Sequence, residues 1–316
     1  MKNLIKIVNK FKGKKIGVIG DLMLDHFIWG DVERISPEAP IPIVLAKKES
    51  FMPGGAGNTA ANIAALGGKV FVVGLIGKDL AGKTLLSEFK KLGIETQGVV
   101  SHVQKPTTQK IRIIARTQQI VRVDKEDAQC ISSDIEKKLL EFIASHIKEW
   151  DGIVVSDYAK GLIAKNLAET LVSLAVKYKK PIIGDIKPEH TPFFKNIALL
   201  TPNNKESLLI AGVSDTREAG KIIQKQLNCS VLLTQGAEGV TLFENKKIKH
   251  FSTVAREVFD VSGAGDTVAA AATLALASGA NLEQAAIIAN HAAGIVVGKL
   301  GTATVNPKEL KNRLQI

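Results

Sequence analysis

The segment Asp260-Val-Ser-Gly263-Ala264-Gly265-Asp266-Thr combines a carboxylate with three small residues, directly before an alanine-rich stretch that predicts a helix. Small residues at a helix start leave backbone amides free to face an anion, and the helix dipole favours negative charge at the same point. Phosphoryl transfer to a hydroxyl needs a carboxylate base beside such an anion site. The alternative interpretation of Asp266 is a helix cap with no chemical role.

Two further segments carry polar and small residues at the ends of predicted elements. Gly20-Asp21-Leu-Met-Leu-Asp25 places two carboxylates at the carboxyl end of the first predicted strand, where open α/β sheets bind ligands. Gly54-Gly55-Ala-Gly-Asn58 predicts a glycine-rich helix start that suits an anion or hydroxyls. The latter is close to a dinucleotide-binding fingerprint, but residues 50–53 before it predict a turn, which weakens that interpretation.

A formal phosphate-binding-loop pattern, Gly77-Lys-Asp-Leu-Ala-Gly82-Lys83-Thr84, lies between a predicted strand and a predicted helix. The motif requires this context, so a P-loop NTPase that uses Lys83 and Thr84 is one alternative function. Asp79, however, has the type and position of a helix N-cap, which would place Gly82 inside the first helical turn. We therefore expect an ordinary helix start at this point.

Short runs rich in valine and isoleucine alternate with helical stretches, and these elements must position the polar residues. Predicted strands, with the composition of strands buried on both faces, cover residues 15–20, 69–76, 152–156, 181–185, 198–201 and 230–234. Predicted helices cover residues 56–66, 80–92, 134–148, 164–178, 216–227, 265–278 and 282–297. Such alternation predicts an α/β fold with a mostly parallel sheet between two helical layers.

Two segments break this alternation, about residues 26–48 and about residues 107–124. The first contains Trp29, Gly30 and a proline-rich run, and the second alternates with period two, as half-exposed strands do. We predict that both form a small β lid on a single domain of residues 1–316. A surface hairpin and an edge strand without function are the alternative. Because an exposed lid leaves strand edges to cover, we expect a homodimer through the lid.

The composition limits the classes of function. Lys and Arg number 42 against 31 Asp and Glu, a formal charge of +11, which suits nucleic acid, a membrane surface or small anions. Aromatic residues make up only 5%, so we expect an enzyme that handles phosphates and no nucleic-acid partner. The 2 cysteines are far apart and indicate neither a disulfide framework nor a zinc site. The longest apolar stretch is too short for a bilayer, so we expect a cytoplasmic protein without a membrane partner.

Together these residues resemble the PfkB (ribokinase-like) carbohydrate kinase family over nearly the whole chain. The segment Pro53-Gly-Gly55…Asn58 is similar to the N-terminal signature of the family, and residues 260–267 are similar to its C-terminal signature. Residues 20–25, 34–40, 156–161 and 297–302 resemble the heptose 7-phosphate kinase branch. That branch makes heptose 1,7-bisphosphate for ADP-heptose and lipopolysaccharide cores, and many members are fused to an adenylyltransferase. We expect this chain to be the kinase alone.

The resemblance implies a ribokinase-like, three-layer α/β/α fold with a small β lid and the ATP-dependent phosphorylation of D-glycero-β-D-manno-heptose 7-phosphate. It implies that Asp266 is the base and that the amides of Gly263, Ala264 and Gly265 stabilise the transferring phosphoryl group. It also implies that sugar hydroxyls bind to Asp21, Asp25, Gly54, Gly55 and Asn58.

For the nucleotide, the resemblance implies an ATP site lined by Lys187, Thr234, Gly236, Gly239 and Asn290. The motif Asn203-Asn-Lys-Glu206 is similar to one that organises Mg²⁺ and phosphate, so Glu206 would act on Mg²⁺ indirectly. The phosphate of the substrate needs cationic partners, and the candidates are Arg34, Lys110, Arg112, Arg116 and Lys160.

Several alternatives stay open. Gly184-Asp-Ile-Lys187-Pro differs from the Asp-Pro-Lys of the heptose kinases, which leaves fructose 6-phosphate, ribose or a nucleoside as other substrates. A dependence on a monovalent cation also stays open. A non-catalytic sugar or nucleotide sensor on the same scaffold is a further alternative. The presence of Asp266 and of the glycine run before it argues against this alternative. A nucleic-acid binder rests on charge alone and predicts steeply salt-dependent affinity.

Overall fold

The computed structural model describes residues 2–116, 118–245, 247–255, 258–299 and 301–315. Thr117 of the predicted lid segment and Leu300 of the motif 297–302 therefore lie outside the described residues, as do Met1 and Ile316. The helices are α1 Lys2–Asn9, α2 Ala56–Ala65, α3 Leu80–Lys91, α4 Ser133–His146, α5 Lys165–Lys177, α6 Asn204–Ala211, α7 Thr216–Leu227, α8 Ala264–Ala277, α9 Leu282–Val296 and α10 Pro307–Arg313.

A large sheet forms the centre of the fold. Its strands are β1 Lys15–Gly20, β4 Lys69–Gly77, β5 Glu95–His102, β8 Gly152–Ser156, β9 Ile182–Asp185, β10 Leu199–Leu200, β11 Ser230–Thr234, β12 Val240–Glu244 and β13 Lys247–Phe251. Their order is β13-β12-β11-β10-β9-β8-β1-β4-β5. Pairing is parallel from β11 to β5 and antiparallel at β12 and β13. The predicted α/β fold with a mostly parallel sheet is confirmed.

Successive residues of the central strands point to opposite faces of the large sheet, and each face packs on helices. Val18 belongs to a core with α1, α2, α3, α8, α9 and α10, whereas Ile19 belongs to a second core with α4, α5 and α7. This arrangement is the predicted α/β/α sandwich. No helix within the described ranges is long and apolar enough to cross a lipid bilayer.

A small sheet contains the two segments that break the alternation. Its strands are β2 Leu22–Ile35, β3 Pro42–Gly55, β6 Thr108–Ala115 and β7 Gln118–Lys125, in the order β3-β2-β6-β7. β3 continues directly into α2, so the turn predicted at residues 50–53 is wrong. Pro53 is compatible with a strand here because β3 is an edge strand, whose one partner among the described strands is β2.

Candidate active site

Asp266 lies in the first turn of α8 and is buried, with 4% of its surface exposed. The helix begins after Gly263, whose φ of 77° lies in the left-handed region that glycine adopts without strain. Within the described residues, the amides of Gly263 and Gly265 have no hydrogen-bond acceptor, whereas the Ala264 amide donates to the Val261 carbonyl at 3.2 Å. The helix start thus offers amides and the positive end of the helix dipole beside a carboxylate.

Three side chains donate hydrogen bonds to the carboxylate of Asp266. Asn58 Nδ2 donates to Oδ2 at 2.8 Å, Thr59 Oγ1 donates to Oδ1 at 2.9 Å, and Tyr158 OH donates to Oδ1 at 2.8 Å. Asn58 and Thr59 come from the first turn of α2, and Tyr158 comes from the loop after β8. Burial raises the pKa of Asp266 above its ordinary value, and these hydrogen bonds oppose the rise. Such a carboxylate suits a general base.

Asp21, at the end of β1, holds the loop that follows β8. Its carboxylate accepts hydrogen bonds from the backbone amides of Tyr158, Lys160 and Leu162 at 2.8, 3.1 and 3.3 Å. Burial raises the pKa of Asp21, and the three amide hydrogen bonds lower it. The structure therefore gives Asp21 a positioning task that the sequence did not indicate. Its predicted contact with sugar hydroxyls stays a prediction.

Asp25 lies near Asp266 and against the end of β3. Arg112 Nη1 donates to Asp25 Oδ1 at 2.5 Å, and burial raises the pKa of Asp25 while this cation opposes the rise. Gly54 permits the close approach, because a Cβ atom there would lie 2.6 Å from Asp25 Oδ2. The charge of Asp25 in turn contributes to the raised pKa of Asp266. Asp25, with Gly54 against its carboxylate, and the Asn58 side chain thus lie near the candidate base, whereas Gly55 is the N-cap of α2 and lies against Asp21.

The motif at residues 203–206 forms the start of α6 and contacts Lys187. Asn203 and Glu206 form a capping box, in which each side chain accepts the backbone amide of the other residue. Lys187 Nζ forms an ion pair with Glu206 Oε1 at 2.5 Å. Thr234, the last residue of β11, forms an isolated bridge with Asn203. Four residues predicted for ATP, Mg²⁺ or phosphate therefore meet at the carboxyl ends of β9, β10 and β11.

The remaining residues predicted for the nucleotide lie further along the chain. Gly236 begins a short 3₁₀ helix, Gly236–Glu238, and Gly239 caps it before β12. Asn290 lies on α9, where its side chain donates to the Ser252 carbonyl at 2.8 Å. Asn290 lines a cavity of about 560 Å³ between α1, α9 and the segment after β13, and Lys187 does not line this cavity. Its role in ATP binding stays a prediction.

Asp185, the last residue of β9, is a further carboxylate near the start of α8. Burial is the main cause that raises the pKa of Asp185 to about 8. The negative charge of Asp266 also raises this pKa, and the positive charge of Lys187 lowers it. A Cβ atom on Gly265 would lie 3.7 Å from Asp185 Oδ2. In the described part of the chain, no group of three or more His, Cys, Asp or Glu side chains is placed to hold a metal ion by itself. Mg²⁺ commonly takes one or two carboxylates plus phosphates, so Asp185 and Glu206 fit that ion.

Sequence reasoning did not single out Thr59, Tyr158 or Asp185. Tyr158 lies within the motif 156–161, just after the carboxyl end of β8. Asp185 lies within the segment 184–188, at the carboxyl end of β9. This position in a parallel sheet was the available signal for a site residue. Thr59 follows Asn58 in an apolar helix and carried no separate signal.

Besides Arg112, which pairs with Asp25, two more of the five cations predicted for the substrate phosphate form ion pairs within the protein. Lys110 and Lys160 both form ion pairs with Glu126, at 2.6 and 2.8 Å. Lys110 also pairs with Asp124 at 2.8 Å. Arg34 is exposed at the end of β2. None of Lys110, Lys160 and Arg34 lines the cavity that contains Arg112 and Arg116.

Arg112 and Arg116 line a common cavity of about 390 Å³ between the small sheet and the loops that flank α8 and α9. The Arg112 guanidinium lies 5.2 Å from the centre of the Phe27 ring and reaches Asp25, so the cavity adjoins the carboxylates near Asp266. Other residues that line it are Phe27, Trp29, Ser50, Met52, Ile114, Gln119, Asp260, Ser262, Gly301 and Thr302.

The formal phosphate-binding loop is a helix start, as the N-cap at Asp79 predicts. Asp79 Oδ1 accepts the Gly82 amide at 2.8 Å, so Gly82 lies in the first turn of α3. Lys83 is exposed on that helix, and Thr84 Oγ1 donates back to the Leu80 carbonyl. A P-loop NTPase that uses Lys83 and Thr84 is therefore contradicted by the geometry.

Known proteins resemble nearly the whole length of the chain. The family model described as pfkB family carbohydrate kinase matches residues 14–309. The chain is 43% identical over 303 residues to the bifunctional protein HldE of Helicobacter pylori J99, covering 94% of this chain and 65% of that protein. It is 40% identical over 304 residues to the HldE of Geobacter sulfurreducens, covering 94% and 62%. The chain thus spans somewhat less than two thirds of these relatives.

Solved structures share the fold at low sequence identity. Arabidopsis thaliana ribokinase, complexed with ribose and ATP, has a TM-score of 0.73 at 21% identity, covering 96% of this chain and 99% of that chain. Escherichia coli phosphofructokinase-2, in complex with potassium, has a TM-score of 0.79 at 21% identity, covering 96% and 98%. The ribokinase-like architecture and the family match over nearly the whole chain lead to one conclusion: this chain belongs to the pfkB family of carbohydrate kinases.

Proposed function

We propose that this chain transfers the terminal phosphoryl group of ATP to the anomeric hydroxyl of D-glycero-β-D-manno-heptose 7-phosphate. The product is the 1,7-bisphosphate used to make ADP-heptose for lipopolysaccharide cores. The motifs shared with the heptose 7-phosphate kinase branch and the similarity to HldE proteins support the choice of sugar. The observation that carries the kinase activity is the buried carboxylate of Asp266 beside the amides that begin α8.

The mechanism uses Asp266 as the base. The hydroxyl gives its proton to this carboxylate, the oxygen forms a bond to phosphorus, and ADP leaves with the electron pair of the broken P–O bond. The amides of Gly263 and Gly265 donate to the oxygens of the transferring group, and the helix dipole adds to that stabilisation. Asp185 and Glu206 would hold Mg²⁺, which would supply positive charge to neutralise the ATP phosphates.

The cavity between the small sheet and the helix starts suits the phosphate end of the sugar. Arg112 is anchored by Asp25, whereas Arg116 forms no ion pair within the described residues. Arginine binds phosphate in a bidentate manner, which favours Arg116 as the direct contact. The apolar rings of Phe27 and Trp29 cover the same cavity and would exclude water around the bound sugar.

We expect Arg116→Ala to raise the KM for the heptose 7-phosphate about tenfold, because one charge-assisted contact to phosphate is lost. The KM for ATP should stay within about twofold of the wild-type value. Arg122→Ala on the neighbouring strand is the matched control, since Arg122 is exposed and pairs with Asp124. Equal effects of both substitutions on the sugar KM would contradict the assignment of Arg116.

The proposed function is tested by ADP release with Mg²⁺, ATP and a panel of sugars. The panel holds D-glycero-D-manno-heptose 7-phosphate, fructose 6-phosphate, fructose, ribose and adenosine, each with potassium and with sodium as the monovalent cation. Preference for the heptose phosphate supports the proposal. Preference for another sugar would support the kinase activity and contradict the heptose substrate. No turnover of any sugar would contradict the kinase activity itself.

The small sheet also supports the proposal of a homodimer. Its edge strands are β3, where Leu45 exposes 57% of its surface, and β7, where Val121 and Val123 expose 43 and 47%. Exposed apolar side chains on an edge strand favour pairing with a second copy. We expect a dimer at micromolar concentration in sedimentation velocity and a monomer for Val121→Lys with Val123→Glu. A wild-type monomer at that concentration would overturn the proposal.

A further inference from the structure

The hydrogen bonds that reach Asp266 are divided unequally between its two oxygens. Oδ1 accepts from Thr59 Oγ1 at 2.9 Å and from Tyr158 OH at 2.8 Å, whereas among the described residues Oδ2 accepts only from Asn58 Nδ2 at 2.8 Å. Each oxygen of an ionised carboxylate offers about two lone-pair sites. Oδ1 is therefore filled by protein donors, and one lone pair of Oδ2 is left for an incoming proton.

The orientation of the Asn58 amide is fixed by a second buried layer. Asn62 Nδ2 donates to the Asn58 side-chain oxygen at 3.3 Å and to the Asn58 carbonyl at 3.0 Å. Thr267 Oγ1 in turn donates to Asn62 Oδ1 at 3.1 Å. Because the Asn58 oxygen is already an acceptor, its NH₂ group must face Asp266. The single donor on Oδ2 is thus determined by the network around it.

Tyr158 is held on Oδ1 by its own loop. Its backbone amide donates to Asp21 Oδ2 at 2.8 Å, and the Lys160 and Leu162 amides bind the same carboxylate. Burial raises the pKa of Tyr158 well above its ordinary value, and the negative charge of Asp266 raises it further. The Tyr158 hydroxyl therefore stays protonated and can only donate to the carboxylate.

We propose that Tyr158 is a positioning residue which, with Thr59, occupies Oδ1 of Asp266 and directs the proton of the accepting hydroxyl to Oδ2. The inference rests on the proposed kinase function. In the step it describes, the hydroxyl O–H bond breaks and its proton goes to Oδ2. The oxygen keeps the electron pair and forms the new P–O bond, while the bond to ADP breaks with its pair on ADP.

Tyr158→Phe tests this assignment, and the second of the two tyrosines provides the control, Tyr178→Phe. Loss of one hydrogen bond to a charged group should lower kcat about tenfold, with both KM values within about twofold. Tyr178→Phe should leave kcat unchanged. Thr59→Val should act in the same direction as Tyr158→Phe, and Thr59→Ser should restore most of the rate because it keeps the hydroxyl.

The pH profile separates positioning from a merely structural role. The groups that face Asp266 are Asn58 and Thr59 from α2, Tyr158 from the loop after β8, and the carboxylates Asp25 and Asp185. Removing the Tyr158 donor raises the pKa of Asp266, so the loss of kcat on acidification should begin at higher pH than in the wild type. A Tyr158→Phe profile that overlays the wild-type profile, after scaling, overturns the proposal.

A measurement independent of turnover distinguishes failure of this inference from failure of the kinase proposal. Tyrosine labelled with ¹³C at the ring ζ carbon gives a single resonance in Tyr178→Phe protein, which belongs to Tyr158. This resonance should titrate only well above the ordinary range for tyrosine, and it should shift when Asp266 is replaced by asparagine. Titration near pH 10 with no response to Asp266→Asn would show that the contact is absent, whatever sugar is phosphorylated.

Discussion

Asp266→Asn is expected to lower kcat for the phosphorylation of the heptose phosphate by about 10³-fold or more. The amide is not basic enough to take the proton of the accepting hydroxyl, and general base catalysis supplies about 10²- to 10⁴-fold. Substrate contacts made by other residues stay in place, so the KM for ATP should change little. Initial rates of ADP release at saturating substrates, compared with the wild type, provide the measurement.

The control for this substitution is an exchange of the two hydrogen-bonded partners. In Asp266→Asn alone, the new NH₂ group can face Asn58 Nδ2, so two donors meet in a buried place. Asn58→Asp combined with Asp266→Asn restores a donor and an acceptor but moves the carboxylate to α2. We expect this double variant to recover the melting temperature and not the rate. Recovery of the rate would show that Asp266 is not the required base.

The sequence predicted those parts of the site that depend on neighbours along the chain. The glycine run before Asp266, the N-cap at Asp79 and the valine-rich strands each act through local backbone geometry. The small residues begin α8 as expected, and Asp79 accepts the Gly82 amide, which places the formal phosphate-binding pattern in a helix. Local rules were sufficient here because helix starts and buried strands are determined within a few residues.

The partners of Asp266 could not be predicted in the same way. Tyr158 lies 108 positions before Asp266 and Thr59 lies 207 positions before it, and these two donors come from different elements. Only the parallel order of β8, β1 and β4, with α2 packed against α8, brings them together. Asp21 illustrates the same limit, because its pattern indicated a ligand contact and the fold uses it to hold a loop.

The sequence reasoning was least accurate at the edges of the sheets. β5, β12 and β13 were not predicted, and residues 50–53 were assigned to a turn although they belong to β3. Of these, β5, β13 and β3 are edge strands, and an edge strand needs no continuous apolar run and tolerates proline. In β13, Lys247, Ile248 and Lys249 do alternate, but the strand has only 5 residues and the exposed His250 interrupts the pattern.

Gly263→Ala is expected to lower kcat about 100-fold, comparable to the loss of one donor of an oxyanion hole. The substitution does not remove a side chain, but it adds one methyl group at a residue with φ of 77°. The new Cβ atom would lie 2.5 Å from Asn58 Nδ2, so the Asn58 amide or the start of α8 must move. Either movement displaces the amides that face the phosphoryl group or the donor on Asp266 Oδ2.

The other end of the same helix offers a matched control for the cost of the backbone conformation. Gly279 follows α8 with φ of 89°, and a Cβ atom there would meet no atom within 4 Å. Gly279→Ala therefore carries the same left-handed strain, about 1 kcal/mol, without contact with the site. Melting temperatures should fall for both variants, and kcat should fall for Gly263→Ala alone. Equal rates for the two variants would mean that the start of α8 contributes nothing beyond helix stability.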